Sequence, residues 1–403
     1  MQEIEKAALP PSHLAVIREI HRAGSATRVE LAKTIGLTPQ SLTRIAQQLI
    51  DQGMIIEGER HLGGRGQPAI PLHIAPGRFV SFGIVIEHNQ ITCTASELGG
   101  ERLVFLRRRG EFAEAEAAQS VSASMLETAA SQAPSNAYAL GVGVSISGFF
   151  FEEGSRRIIS KGDLSGWRSI DLTKTLRPPF PMPVFAENDG RAAAIGQAVD
   201  GIGRNLDSFF LLLMTKGIGG GYVHKGELIR GHLGNAGEIG QLLPRYPATF
   251  RPNLDSLCEF LRTKWGGLPS ETDIDQAVTN REAAIEEWLD QISASLGPAL
   301  TAVTALLDPK AIILAGQLPL SVRRAIAARV HIKGVNFAGF EAPAPELIVD
   351  PDSDCLVSGA CALPVADFLY RVNRTSGGPA NLLVDANPST EATMSTDLPR
   401  PQS

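Results

Sequence analysis

The 403-residue chain has few cysteines, no long apolar run and no large excess of charge of either sign. Its four cysteines form no CxxC pair and no spacing typical of secreted domains, which favours a reducing compartment and gives no metal cluster. No apolar stretch approaches the roughly 20 residues that span a bilayer, and the N-terminus lacks the basic start and apolar core of a signal peptide. We therefore expect a cytoplasmic protein without a membrane segment.

The net charge of −6 argues against a protein that coats nucleic acid over its whole surface. It does not exclude one small DNA-reading module, because local charge matters more than the total. The 43% of hydrophobic and 20% of charged residues are ordinary for a globular protein. The length allows two or three domains, each with its own core.

Residues 1–78 have the pattern of a winged helix-turn-helix domain. Three helices are predicted from "HLAVIREIHRAG", "SATRVELAKTIG" and "LTPQSLTRIAQQLIDQG". The second begins with a capping box of Thr27 and Glu30, and the third begins with Thr38 as cap followed by Pro39. The segment "MIIEGERHLGGRGQPAIPLHI" then reads as strand, glycine-rich turn and strand, which is the pattern of a wing.

The third helix buries its apolar side chains and leaves a short polar and basic face outward. The residues predicted to contact DNA are Arg28, Gln40, Ser41, Thr43, Arg44 and, at the tip of the wing, Arg65. Arg44 is the candidate for a guanine or a phosphate. Acidic side chains offset most of the basic charge of this module, so we expect a homodimer or a dimer of dimers for useful affinity at physiological salt. The alternative is a small helical cap domain whose Arg44 and Arg65 are merely solvated.

Residues 79–370 alternate strands and helices in two rounds. The first round predicts a meander of three strands, a helix, the buried strand "ALGVGVSISG" and the strand "PVFAE", which runs directly into a helix. The second predicts the strands "SFFLLLMT", "GGYVHKGEL" and "AIILAG", with helices at 255–264, 282–307 and near 320–329. This α/β pattern predicts two lobes of an actin-like (ribonuclease H-like, sugar-kinase) domain with a cleft between them. The tail 371–403 is rich in Pro, Ser, Thr, Asn and Gly and is predicted to be disordered.

Six motifs in this order make the chain resemble the ROK family of sugar kinases and sugar-responsive repressors. They are "GRGQP" in the wing, "LSGW" at 164–167, "ENDGRAAAIG" at 187–196, "GIGGG" at 217–221, "GNAGEIG" at 234–240 and "LLDPKAIILAG" at 306–316. The resemblance implies a sugar pocket formed by Asn188, Asp189, Glu238, Gln241 and Glu259. Carboxylates and amides at strand and helix ends suit this role, because they accept from and donate to vicinal hydroxyls. The alternative for Asp189 is a helix N-cap.

Two features of the family's kinases are missing from the sequence. The kinases carry an Asp followed by Gly-Gly-Thr in the first strand turn, whereas "GIVIEHNQ" at 83–90 places Val85 at the Asp position and Glu87, His88 and Asn89 after it. A glutamate aimed at a triphosphate repels it. The family's zinc site uses a His and three Cys, but Gln241 stands at the His position and the following segment offers only Cys258. We expect no structural zinc and no cofactor.

The leading hypothesis is a DNA-binding transcriptional regulator, most simply a repressor, and not an enzyme. A sugar, sugar acid or polyol would close the inter-lobe cleft and shift the spacing of two winged helices on operator DNA. The first alternative is an ATP-dependent sugar kinase that carries a DNA-binding domain. The second is a regulator that has lost small-molecule binding and responds to a protein partner.

Overall fold

A computed structural model describes residues 2–3, 9–59, 70–151, 157–159, 162–178, 180–244, 250–334 and 336–370. The predicted DNA contact Arg65 and the predicted disordered tail 371–403 lie outside these ranges. The fold class is the predicted one, a winged helix followed by a two-lobed α/β domain. The expected boundary after residue 78 stays a prediction.

The N-terminal module is a helical core with a small sheet. Its elements, after the short strand β1 (Gln2–Glu3), are α1 (Pro11–Ala23), β2 (Ala26–Thr27), α2 (Arg28–Ile35), α3 (Pro39–Asp51), β3 (Ile55–Glu57) and β4 (Pro71–Ile74). The capping box of Thr27 and Glu30 forms as predicted, and Thr38 accepts a hydrogen bond from the backbone of Ser41. Antiparallel pairing of β4 with β2 and β3 forms the base of the wing.

The first lobe is built on a six-stranded sheet. Its elements are β5 (Phe79–Glu87), β6 (Gln90–Glu97), β7 (Arg102–Arg109), α4 (Ala115–Gln132), β8 (Tyr138–Ile146), β9 (Phe149–Phe150), β10 (Arg157–Ile159), β11 (Ile170–Asp171), α5 (Leu172–Thr175), β12 (Val184–Asn188) and α6 (Asp189–Val199). The sheet order is β1-β8-β5-β6-β7, with β12 also paired to β8. Strands β5, β6 and β7 form the predicted antiparallel meander, whereas β8 pairs in parallel with β5 and β12. The parallel pairing brings the ends of β5, β8 and β12 to one edge.

The second lobe repeats this plan around a five-stranded sheet of order β15-β14-β13-β16-β19. Its elements are β13 (Ser208–Met214), β14 (Ile218–His224), β15 (Glu227–Ile229), α7 (Leu254–Trp265), α8 (Glu271–Asn280), α9 (Ala283–Leu307), β16 (Ala311–Gly316), α10 (Leu320–Arg329), β17 (Asn336–Phe337), β18 (Phe340–Glu341), β19 (Glu346–Val349) and α11 (Cys355–Tyr370). The sequence did not predict α8 or α11. Helix α11 is apolar on every side and contains Pro364, so it has no helical periodicity to detect.

Helices α6 and α11 pack against each other and join the two lobes. The backbones of the two helices are in direct contact, since a Cβ added at Gly196 of α6 would lie 2.9 Å from the Cα of Gly359 of α11. One hydrophobic cluster runs from the winged helix through Phe79 and α11 to α6 and β13. The N-terminal module is therefore packed against the same pair of helices that connects the lobes.

Candidate ligand cavity and DNA-binding face

A cavity of about 450 Å³ lies between the lobes. The first lobe supplies the ends of β5, β8 and β12 and the start of α6, and the second supplies the turn at 215–219, the loop around 238–241 and the segment 251–255. Four of the five predicted sugar-binding residues line it, namely Asn188, Asp189, Glu238 and Gln241. The structure thus brings together residues from two separate motifs of the sequence.

Asn188, and not Asp189, is the N-cap of α6. Its side-chain oxygen accepts from the backbone N–H of Gly190 at 2.9 Å, and its amide nitrogen donates to the carbonyl of Gly148 at 3.0 Å. Asp189 is the first helical residue, and its carboxylate also accepts from Gly190, at 2.8 Å. The N-cap alternative for Asp189 is therefore wrong, because the preceding side chain already occupies that role. Asn188 shapes the edge of the cavity while Asp189 brings a carboxylate to it.

Two of the carboxylates that line the cavity, those of Asp189 and Glu238, are poorly hydrated. Burial raises the pKa of Asp189 above its ordinary value, although the N–H of Gly190 and the charge of Arg191 act in the opposite direction. Burial also raises the pKa of Glu238, and Arg191 again partly offsets it. Hydrogen bonds donated by a ligand would favour the charged form of both groups, so the cavity is suited to a molecule rich in hydroxyl donors.

A buried ion-pair network, which the sequence did not predict, holds Glu238 in place. The fully buried Arg191 donates to Glu187 at 2.9 Å and to Glu238 at 3.0 Å. Arg230 of the second lobe donates to the other oxygen of Glu187 at 3.2 Å. The Arg191 guanidinium lies 5.5 Å from the ring centre of Phe150, and its Nη2 has no hydrogen-bond partner among the described residues. Glu187 lies in β12 and Arg191 in the first turn of α6, so the junction of strand and helix, and not helical spacing, brings this pair together.

The structure does not place Glu259 with the other predicted ligand residues. It lies exposed on α7, outside the cavity lining, and pairs with Arg262 at 2.6 Å. This hydrogen bond lowers the pKa of Glu259. Asp255, one turn earlier on the same helix, lines the cavity instead. The first turn of α7 points into the cleft and later turns lie beyond it.

The turn at the end of β5, which the sequence resemblance aligns with the phosphate-binding turn of the family's kinases, carries acidic and polar side chains. Glu87 and His88 line the cavity. One oxygen of Glu87 accepts from Gln90 of the same turn, and the other accepts from Gln317 of the second lobe at 3.3 Å. This side chain therefore connects the two lobes at the end of β5.

Helix α3 exposes the predicted DNA-reading face. Gln40, Thr43 and Arg44 are exposed and line a shallow depression together with Gln47. Ser41 is half-buried and accepts a hydrogen bond from Thr38 at 2.9 Å. Arg28 lies apart from this face and pairs with Glu57 of β3 at 2.7 Å. Arg65 lies outside the described ranges.

Within the described ranges, no group of three or more His, Cys, Asp and Glu side chains is arranged to hold a metal ion. None of the helices in those ranges is both long and apolar enough to cross a membrane.

Two family models match the chain. The ROK family model matches residues 89–330, more than half of the 403 residues, and the MarR family model matches residues 9–65. The xylose repressor of Bacillus subtilis is 24% identical over 78% of this chain and 86% of its own length.

Two solved structures show the same fold. The crystal structure of a ROK family transcriptional regulator, a homologue of the E. coli MLC protein, superimposes with a TM-score of 0.63 at 20% identity, over 89% of this chain and 98% of the other. A ROK family glucokinase from Streptomyces griseus, in complex with glucose and AMPPNP, has a TM-score of 0.56 at 18% identity, over 70% of this chain and 98% of the other. The glucokinase match is confined to a smaller share of this chain.

Proposed function

This chain belongs to the ROK family, and from that premise we propose that it is a DNA-binding transcriptional regulator, most simply a repressor, whose two-lobed domain binds a sugar or polyol without phosphorylating it. The observation that carries the proposal is that one chain combines two sites. The exposed polar face of α3 suits a major groove, and the inter-lobe cavity suits a polyhydroxyl ligand.

The charges around the cavity favour a neutral effector. Among the described residues, the lining carries the carboxylates of Glu87, Asp189, Glu238 and Asp255 and the cationic side chains of Lys216 and Arg251. A ligand with a carboxylate or phosphate adds negative charge to a lining that already has more carboxylates than cations. The hydroxyls of a neutral sugar or polyol instead donate hydrogen bonds to these carboxylates. We therefore rank neutral sugars and polyols above sugar acids and sugar phosphates.

The absence of phosphoryl transfer is proposed from the turn at the end of β5. The resemblance to the family assigns the phosphate-binding turn of its kinases to the end of β5, and Glu87 brings a negative charge to the cavity there. Two unit charges about 4 Å apart repel by about 4 kcal/mol at the effective dielectric constant of a protein surface. The hydrogen bond that Glu87 accepts from Gln317 also occupies the space between the lobes.

A sugar kinase remains the second candidate because of Asp189. A half-buried carboxylate with a raised pKa at the start of α6 could take a proton from a sugar hydroxyl in the cavity. The glycine-rich strand start at 217–221 and the fold shared with the glucokinase also favour it. Sugar-dependent release of ADP that disappears in Asp189→Asn would support this candidate.

The proposed partners are operator DNA and a small neutral effector. Because one winged helix has little net positive charge, we propose that the protein binds DNA as a homodimer or a dimer of dimers, in the cytoplasm. The winged helices of a dimer can adopt a spacing that fits the operator or one that does not. The effector changes the affinity for DNA only to the extent that it binds one of these two states more tightly than the other.

A thermal-shift screen of sugars, polyols, sugar acids and sugar phosphates, each with and without Mg-ATP, tests the ligand. A binder at 100 times its Kd stabilises the protein by about 2.7 kcal/mol. We expect a neutral compound to raise the Tm and ATP to add nothing. A shift by ATP alone would support the kinase, and no shift by any compound would favour a protein partner. Salt-sensitive, sequence-selective binding to the protein's own promoter region tests the DNA-binding role.

A further inference from the structure

One hydrogen bond between the winged helix and the two-lobed domain joins residues that are far apart in the sequence. Nε2 of His21 on α1 donates to Oδ1 of Asp200 at 2.9 Å, across 179 positions of the chain. The His21 side chain is 1% exposed, and its Nδ1 has no hydrogen-bond partner among the described residues. Asp200 therefore provides the polar contact of a histidine that is otherwise enclosed in the junction.

Asp200 is the C-cap of α6, the helix that begins at the ligand cavity. The N-cap Asn188 and the first helical residue Asp189 line the cavity at one end. The helix has 11 residues and is about 16 Å long, and its other end meets α1. The ligand cavity and the winged helix are thus at opposite ends of one helix.

Close packing prevents α6 from sliding against its neighbours. A Cβ added at Gly190 would lie 2.5 Å from the backbone nitrogen of Gly220 in β14. On α11, a Cβ added at Gly359 would lie 2.6 Å from the backbone of Ala192. Since interiors packed at this density deform little, α6 moves together with β14 and α11. A displacement at its N-terminus is transmitted to Asp200.

A second contact between the module and the two-lobed domain does not involve α6. The guanidinium of Arg78 donates to the carbonyl of Gln52 at 3.0 Å and to the carbonyl of Asn136 at 2.8 Å. Arg78 also stacks on Tyr138 at 4.1 Å. This contact offers a comparison, because its loss loosens the same junction without cutting the connection to the cavity.

We propose that the His21–Asp200 hydrogen bond is the point at which effector binding in the cavity reaches the winged helix, with α6 as the rigid connection. The proposal rests on the proposed function. A sugar that draws Asp189 and Glu238 toward its hydroxyls shifts α6 together with β14 and α11 as one unit. Asp200 then moves, α1 follows through His21, and the spacing of two α3 helices on operator DNA changes.

The main test measures the operator Kd with and without a saturating sugar from the screen, in the full-length protein. A coupled pair of sites typically changes affinity about 5- to 150-fold, and we expect the wild type to fall in that range. Asp200→Ala reduces the ratio of the two Kd values to near one while the sugar Kd stays unchanged. Asp200→Asn retains the coupling, because the amide oxygen still accepts from His21.

Two control variants decide whether the contact is specific. Asp207→Ala removes an exposed carboxylate of the same region and leaves the ratio at the wild-type value. Arg78→Ala loosens the junction but keeps most of the coupling. A wild-type ratio in Asp200→Ala, or an equal loss in Arg78→Ala, would overturn the proposal.

Hydrogen exchange of the ligand-free protein separates this inference from the proposed function. We expect Asp200→Ala to speed amide exchange in Pro11–Ala23, whereas Asp207→Ala does not. Unchanged exchange in Asp200→Ala would overturn the inference even if the protein binds DNA and a sugar. If the wild type binds neither, the proposed function fails, and the exchange comparison still decides whether this contact attaches α1 to α6.

Discussion

Replacing Asp189 by asparagine removes a negative charge from the cavity without changing the size of the side chain. The amide oxygen can still accept from the backbone N–H of Gly190, as the carboxylate does at 2.8 Å. The cap of α6 is also untouched, since Asn188 provides it. The substitution therefore isolates the effect of the charge on stability and on ligand binding.

The charge of Asp189 is expected to lower the stability of the free protein. Burial raises its pKa in the folded state, so the folded protein holds a proton at pH values where the unfolded chain has lost it. The stability associated with this group is complete below the ordinary Asp pKa of about 3.9 and is lost as the pH rises through the folded-state pKa. Asp189→Asn is therefore more stable than the wild type at pH 7, and the difference disappears near pH 3.

Effector binding is expected to change in the opposite direction. A hydrogen bond from a hydroxyl to a charged acceptor contributes about 1.5–3 kcal/mol, whereas one to a neutral amide contributes about 1 kcal/mol. The difference of about 0.5–2 kcal/mol between the two bonds raises the Kd of the sugar roughly 2- to 30-fold. The variant should thus be more stable and bind more weakly.

Denaturant unfolding between pH 3 and pH 8, together with calorimetric titration of the sugar, measures both effects. Asp207→Asn serves as the matched control, because this carboxylate is exposed and lies outside the cavity lining. We expect the control to show neither a gain in stability at pH 7 nor a change in Kd. A less stable Asp189→Asn at pH 7 would refute the reasoning, because the charge would then be stabilised within the fold.

Three further predictions concern the network, the fold and the DNA-reading face. Arg191→Met leaves two carboxylates without their buried partner and lowers the free energy of unfolding by about 3–5 kcal/mol, measured by denaturant unfolding at pH 7. Gly143→Ala places a Cβ 1.9 Å from the carbonyl oxygen of Ala360 and lowers the free energy of unfolding by about 1–3 kcal/mol or more. Wild-type stability of this variant would contradict the packing of α11 on β8. Arg44→Ala weakens operator binding and, if Arg44 contacts a phosphate, reduces the slope of log K against log salt by about one, whereas Lys174→Ala on the first lobe leaves the slope unchanged.

Local signals made most of the secondary structure predictable. The capping box of Thr27 and Glu30 involves residues three positions apart, and each strand of the first meander is a short run bounded by a turn. Helix α11 was missed because both of its faces are buried, which removes the alternation of polar and apolar residues. Its Pro364 also reads as a break in any local window.

The candidate site was predictable only in part. The resemblance to the ROK family predicted Asn188, Asp189, Glu238 and Gln241 as a group, and all four line the cavity. It predicted Glu259 as well, which lies exposed against Arg262. The direction in which a helical side chain points depends on how the whole helix is packed, and spacing within a motif does not determine that.

Apart from segments such as α8 and α11, the sequence by itself determined where helices and strands lie, because caps, turns and periodicity act over a few neighbouring residues. Only the tertiary structure decided which of these elements meet. Arg191 reaches Glu238 across 47 positions, and His21 reaches Asp200 across 179. Burial and charge pairing depend on the packing of distant segments, so they are settled only when the chain is folded.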